Sequence, residues 1–141
     1  MPALDRYHNA VVQALVKDGW TITDNPLRLT LGERSVLIDV GAERVLGAQK
    51  GTRRIAVEIK TFSGPSLIAD LQQAVGQFGM YEDVLAVVEP ERELFLAIPS
   101  AVQQTLVSEE IGRLMLEHRI RRIISFSVLD QEIIQWIPQP I

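Results

Sequence analysis

The stretch Ile55-Ala-Val-Glu-Ile-Lys60 decides the fold that the sequence predicts, because it combines an apolar strand with two charged side chains. Apolar β-branched residues occupy every second position, which is typical of a β-strand. Side chains alternate between the two faces of a sheet, so Glu58 and Lys60 point to the same side. An acid and an amine in this arrangement suit a metal-dependent phosphodiesterase, since the carboxylate binds a divalent cation and the ammonium neutralises charge on the phosphate.

A second acid, Asp39, lies upstream at the end of the apolar run 36–39. Asp39 followed by Glu58-x-Lys60 has the order of the PD-(D/E)xK nuclease signature. If the two strands are neighbours, Asp39 and Glu58 meet near one end of the sheet and can hold Mg²⁺ or Mn²⁺ with the backbone carbonyl of Ile59. Lys60 would then orient or activate the attacking water, or stabilise the transition state. The alternative is a surface ion pair on an edge strand, worth about 0–1 kcal/mol.

Other polar residues are weaker candidates for the same site. Gln77 and Tyr81 lie one turn apart on the next predicted helix and can reach toward a phosphate or a base; the alternative is the polar edge of an amphipathic helix. Glu43 is a candidate third metal ligand, although a glutamate in a bend is more often solvated. Asp5 and His8 on the first helix can approach the site; the alternatives are a charge that complements the helix dipole and a surface histidine.

Length and composition indicate one domain, residues 1–141, with 47% apolar and 23% charged residues. The sequence contains no apolar run near the roughly 20 residues that span a bilayer and no signal-peptide pattern, so we expect no membrane association. The absence of cysteine suits a reducing cytoplasm. A net charge of −4 argues against tight binding of nucleic acid by charge alone, but metal ions would offset part of an acidic site's charge.

Periodicity and turn residues predict an α/β sandwich with a mixed sheet. Ser66 is the predicted cap of the long second helix, on which Gln73 is a lesser candidate beside Gln77. The predicted helices cover 4–17, 67 to the mid 80s, about 100–107 and 109–118. The predicted strands cover 20–23, 27–31, 36–40, 45–49, 55–61, 93–98, 120–128 and 132–137, with a bend or bulge at 41–43 and a polar turn at 50–54. The alternative for 45–49 is a helix.

Several sequence blocks carry a family resemblance. The blocks at 5–23, 38–43, 55–66, 76–81 and 123–137 together resemble the XisH family, the fdxN element excision controlling factors of cyanobacteria. The resemblance implies a restriction-endonuclease-like fold, in which helices flank a central mixed β-sheet. It also implies a role in site-specific excision of a DNA element, together with a companion excision controlling factor and a site-specific recombinase.

The same resemblance implies roles for individual residues. Asp39, Glu58 and Lys60 match the catalytic motif of the nuclease superfamily, and Gln77 and Tyr81 match the QxxxY feature of its RecB-like branch. The proline that gives the motif its name is absent, because isoleucine precedes Asp39 in this chain.

Three functional hypotheses follow from the sequence. The first is a magnesium-dependent protein of nuclease fold that acts on DNA in element excision. The second is a non-catalytic accessory factor that works through the companion factor or the recombinase, which the acidic net charge favours. The third is a homodimer module in which the apolar segment 133–137 and the edge strands pair between chains.

Overall fold

The structure, a computed structural model, describes residues 3–47 and 51–139. Its helices are α1 (Ala3–Lys17), α2 (Leu67–Val88), α3 (Ser100–Ser108) and α4 (Glu110–His118). Its strands are β1 (Thr21–Asp24), β2 (Leu27–Leu31), β3 (Arg34–Ile38), β4 (Val40–Gly47), β5 (Gly51–Ile59), β6 (Arg92–Pro99), β7 (Ile123–Ser127) and β8 (Glu132–Ile137).

Six strands form one mixed sheet in the order β1-β4-β5-β6-β7-β8, and β2 and β3 form a separate hairpin. The three central strands β5, β6 and β7 run parallel, whereas the outer pairs are antiparallel. The parallel connections pass through α2 and through α3 with α4, as parallel strands require. The prediction of an α/β fold with helices around a mixed central sheet is therefore confirmed.

Both faces of the sheet are covered, and the central strands alternate between the two cores. Leu94 and Leu96 of β6 pack in the core that contains α2 and the β2–β3 hairpin. Phe95 and Ala97 pack in the opposite core, which contains α1. Coverage on both sides explains why β6 reads as a continuous apolar run rather than as an alternating one.

The start of α2 lies next to the end of β5, because only a short loop joins them. The Ser66 side-chain oxygen accepts a hydrogen bond from the Ala69 backbone N–H at 3.2 Å, so the predicted cap is confirmed. Parallel β-α-β units place strand ends and helix starts at the same edge of the sheet. The loop 60–66 and the first turns of α2 therefore border the edge at which Glu58 and Lys60 lie.

Gly112 fixes the junction of α3 and α4. A Cβ atom at this position would overlap the backbone carbonyl oxygen of Leu106, which is fully buried. The two short helices can approach this closely only because residue 112 lacks a side chain. None of the helices in the described part of the chain combines the length and apolar character that crossing a bilayer requires.

The prediction of a strand over 36–40 followed by a bend or bulge at 41–43 is wrong. Asp39 itself is the bend between β3 and β4, and β4 continues through 41–43. Gly41 is there for space rather than for a turn, since a Cβ would lie 3.0 Å from the side-chain atoms of both Arg92 and Asp24. Pairing with β1 on one side and β5 on the other keeps this segment extended.

The predicted polar turn at 50–54 is also wrong, because β5 already begins at Gly51 and ends at Ile59. Arg53 and Arg54 lie in the ladder with β4, and glutamates on neighbouring strands and turns balance their charges. The end of the predicted strand 45–49 and the start of the predicted turn, residues 48–50, lie outside the described residues.

Candidate active site

A cleft of about 510 Å³ lies at the edge of the sheet where β5 ends. This volume is within the range of small-molecule and cofactor sites. The segments that line it come from both sides of the sheet: Tyr7 and His8 of α1, the Asp39 bend, the segment from Glu58 to Gly64, and Asp70 and Gln73 of α2.

Two hydrogen bonds connect the Asp39 bend to the end of β5. The Ile59 backbone N–H donates to Asp39 Oδ2 at 2.8 Å, and the Asp39 backbone N–H donates to Glu58 Oε1 at 3.3 Å. Lys60 Nζ lies 3.7 Å from Glu58 Oε2, and its backbone N–H donates to the Ala97 carbonyl at 3.0 Å. The structure thus brings the two predicted acids and the predicted amine into one cleft.

The register between β4 and β5 accounts for this convergence. Val40 pairs with Val57, so the residue before Val40 lies beside the residue after Val57. Those residues are Asp39 and Glu58. Because Ala56 packs in the α2 core and Val57 in the α1 core, strand alternation directs Glu58 toward the α2 face.

The surroundings of Glu58 disfavour the ionised form of its carboxyl group. Burial and, next, the negative charge of Asp39 raise the pKa of Glu58 from 4.5 to about 7, while the nearby Lys60 ammonium acts in the opposite direction. The residue is only 8% exposed. A buried carboxylate beside a second acid is a site at which a cation would be favoured, since positive charge stabilises both ionised forms.

The predicted donor set would leave a magnesium ion with several of its waters. It consists of the Asp39 and Glu58 carboxylates with the backbone carbonyl of Ile59 between Glu58 and Lys60. Across residues 3–47 and 51–139, no three His, Cys, Asp or Glu side chains are grouped so as to hold a metal ion. Any ion here would therefore depend on two carboxylates and on water.

Comparison with known proteins identifies the family. A model of the XisH protein family matches residues 1–134. The chain belongs to the XisH family. The solved structure of an XisH family protein from Nostoc punctiforme is 34% identical, with a TM-score of 0.84, over 94% of this chain and 99% of that one. A fdxN element excision controlling factor protein from Anabaena variabilis is 36% identical, with a TM-score of 0.82, over 94% and 98%. No curated protein matches the chain.

In this XisH-family chain, the predicted pair Gln77 and Tyr81 lies behind the cleft rather than in its wall. Tyr81 is 8% exposed, and burial, followed by the charges of Glu58 and Asp39, raises its pKa. The side-chain oxygen of Gln77 is buried and has no hydrogen-bond partner among the described residues. Gln73, one turn earlier on α2, is the glutamine that lines the cleft.

Glu43 does not reach the cleft. It lies four residues beyond Asp39 on β4, which corresponds to roughly 13 Å of extended strand. Its carboxylate is 3.5 Å from the Arg54 guanidinium in the neighbouring strand. This arrangement favours the alternative reading of Glu43 as a strand-surface charge rather than a metal ligand.

His8 lies in the cleft wall, whereas the sequence favoured a surface position for it. One ring nitrogen of His8 is 2.6 Å from Asn25 Oδ1, at the turn between β1 and β2. Nothing in the sequence pairs these two residues, because the contact depends on how α1 packs over the sheet. The side chain of Asp5, the other candidate on this helix, lies outside the described residues.

The loop after β5 supplies features that sequence reasoning missed. Asp70 accepts a hydrogen bond from the Gly64 backbone N–H at 3.0 Å, and a Cβ at Gly64 would lie 2.7 Å from Asp70 Oδ1. Phe62 has a φ of +53°, a region that costs a bulky residue conformational energy. The available signal was a Gly-Pro-Ser loop followed by an acid in the first helical turn, which alone indicates a helix start.

Proposed function

We propose that this chain has a restriction-endonuclease-like fold of the PD-(D/E)xK superfamily and acts as a divalent-metal-dependent nuclease on DNA during excision of a genetic element. One observation carries the proposal: Asp39 from one segment and Glu58 and Lys60 from another converge in one cleft through the hydrogen bonds and ion pair described above. Asp39, Glu58 and the Ile59 carbonyl would hold Mg²⁺ or Mn²⁺. The excision role follows from the similarity to the fdxN element excision controlling factor protein of Anabaena variabilis.

The predicted site residues have separate chemical tasks in this proposal. A bound divalent cation would supply positive charge to the phosphate oxygens and to a coordinated water. Asp39 and Glu58 orient the attacking water at that position. The Lys60 ammonium, held beside Glu58, stabilises the negative charge that develops on the phosphorane oxygens. Gln77 and Tyr81 help to position the substrate from behind the cleft. Gln73 contacts the substrate from the cleft wall.

Exposed arginine side chains that form no ion pair among the described residues also support a nucleic-acid partner. Arg53, Arg54 and Arg122 form ion pairs with glutamates, so their charges are already balanced within the chain. By contrast, Arg28 and Arg34 on the β2–β3 hairpin are exposed and have no ion pair within the described part of the chain. The hairpin leads directly into the Asp39 bend, so phosphates bound there would lie on a path to the cleft.

A nuclease assay tests the proposal. Purified protein is incubated with duplex, single-stranded and branched DNA in Mg²⁺, in Mn²⁺ and in EDTA. We expect metal-dependent cleavage that Lys60→Ala and Asp39→Ala abolish and that Glu43→Gln retains, because Glu43 is outside the cleft. Equal inertness of wild type and Lys60→Ala on every substrate, with both folded, would contradict a catalytic role.

The second candidate function is that of a non-catalytic accessory factor. The hydrogen bonding and protonation of the acidic pair favour this candidate. Asp39 Oδ2 already accepts the Ile59 N–H, and the pKa of Glu58 is high enough for it to be partly protonated at neutral pH. Such a pair can be structural. In this case the chain acts through the companion excision controlling factor or the site-specific recombinase, and a copurification experiment with each would detect the complex. We also propose that the chain acts in the cytoplasm and that it forms a homodimer, as the sequence predicts.

A further inference from the structure

We propose that His8 is a catalytic residue, the proton donor to the leaving oxygen of the scissile phosphodiester, and that Asn25 positions it. The inference rests on the proposed nuclease function and adds a residue to that site. It begins from two observations: His8 lines the same cleft as Asp39, Glu58 and Lys60, and its ring is held 2.6 Å from Asn25 Oδ1. His118, the other histidine, lies on the exposed surface of α4.

His8 and the acidic pair approach the cleft from different sides of the sheet. Residues of α1 around His8, including Val11, pack in the core beneath one face. Glu58 points to the other face, toward α2, and Lys60 is paired with it. A substrate phosphate in the cleft would therefore have Glu58 and Lys60 on one side and the imidazole on the other.

This geometry suits in-line displacement at phosphorus, in which the attacking and leaving oxygens lie on opposite sides. The water oxygen bonds to phosphorus on the side of Glu58 and Lys60, and its proton passes to solvent. The bond from phosphorus to the leaving sugar oxygen breaks, and its electron pair stays on that oxygen. The protonated His8 imidazole donates a proton to the oxygen, which leaves as an alcohol, and the ring regains a proton from solvent. Histidine is the side chain that most often serves in such transfers.

Asn25 determines the orientation of the ring. Its amide oxygen accepts a hydrogen bond from the ring N–H, which leaves the other ring nitrogen free to face a substrate. The described residues offer that second nitrogen no hydrogen-bond partner. Asn25 directly follows β1. The last residue of β1, Asp24, pairs with Gly41, which lies two residues after Asp39. The turn that carries Asn25 is therefore held near the sheet edge at which Asp39 and Glu58 lie.

The test compares two DNA substrates of the same sequence. One has an ordinary phosphodiester at the cleavage position, and the other has a bridging phosphorothiolate, whose thiolate leaves without a proton. His8→Gln should lose about 100-fold or more in rate on the ordinary substrate, as removal of a general acid does, and little on the phosphorothiolate. Asn25→Ala should show a smaller loss with the same selectivity, and Asn25→Asp, which keeps an acceptor oxygen, should restore the rate. His118→Gln is the matched control and should match wild type on both substrates.

Two further readouts separate the outcomes. Thermal melts show that each variant folds, and DNA binding in Ca²⁺, measured by fluorescence anisotropy, should be unchanged in His8→Gln. Equal losses on both substrates, or a loss of binding that accounts for the rate, would overturn the proton-donor role while leaving the nuclease proposal intact. A wild-type protein that cleaves neither substrate would overturn the nuclease proposal, and the role of His8 with it.

Discussion

Replacing Glu58 with glutamine should make the metal-free protein more stable at alkaline pH. Folding raises the pKa of the Glu58 carboxyl from 4.5 to about 7, first through burial and then through the charge of Asp39. Between these values the folded chain binds a proton that the unfolded chain has released. Stability contributed by the protonated carboxyl is therefore complete below pH 4.5 and is lost as the pH rises toward and past 7.

The size of the effect follows from the pKa change. At about 1.4 kcal/mol for each step of one in pKa, the change corresponds to about 3 kcal/mol. Because Glu58 is 8% exposed, solvent screening reduces this figure little. Glutamine has nearly the same shape and can still accept the hydrogen bond from the Asp39 N–H, so Glu58→Gln should equal wild type near pH 4 and exceed it by about 3 kcal/mol near pH 8.

Urea unfolding in EDTA, followed by circular dichroism at several pH values, measures this difference directly. Glu43→Gln is the control, because Glu43 is partly exposed, lies outside the cleft and pairs with Arg54. Glu43→Gln leaves Glu58 in place and should therefore keep the wild-type loss of stability between pH 4 and pH 8. Parallel curves for wild type and Glu58→Gln would refute the reasoning, since they would show that Glu58 does not titrate differently in the folded and unfolded states.

Three more predictions concern packing and DNA binding. Gly112→Ala should lower the free energy of unfolding by several kcal/mol in urea titrations, because its Cβ would overlap the Leu106 carbonyl; a cost below about 1 kcal/mol would contradict this packing. Gly76→Ala should instead raise stability by up to about 1 kcal/mol in the same assay, because the added Cβ would lie within 4 Å of no described atom beyond its own stretch of helix. The double variant Arg28→Ser, Arg34→Ser should bind DNA with a weaker dependence on salt, because two phosphate contacts are lost. The slope of the log binding constant against log salt concentration, measured by anisotropy titration, should become shallower by roughly 2. An unchanged slope would exclude phosphate contacts by the hairpin.

The central strand and its charges were predictable because their signals are local. Alternation over Ile55–Ile59 predicts the strand, and the two-residue spacing places Glu58 and Lys60 on one side. The position of Asp39 beside Glu58 was not derivable in the same way. It depends on the register Val40–Val57, and a slip of one residue would turn the side chains of a strand to the other face.

Long-range contacts account for what the sequence did not reveal. The sequence predicted a turn at Arg53 and Arg54 because charged residues are uncommon inside strands. The glutamates that form ion pairs with these arginines come from other parts of the chain. His8 resembled a surface residue because its partner, Asn25, is 17 positions away along the chain. Asp70 was not singled out from the sequence, because its hydrogen bond to the loop depends on tertiary placement. These features depend on packing between elements rather than on local sequence periodicity.

Calorimetric titration of the metal-free protein with Mn²⁺ tests most directly whether Asp39 and Glu58 form a cation site. We predict saturable binding to wild type, accompanied by release of protons near pH 7 because Glu58 must ionise to bind. Asp39→Ala and Glu58→Gln should each abolish binding, and Glu43→Gln should retain it. The account would be contradicted if wild type bound no Mn²⁺, or if Asp39→Ala and Glu58→Gln bound it as tightly as wild type does.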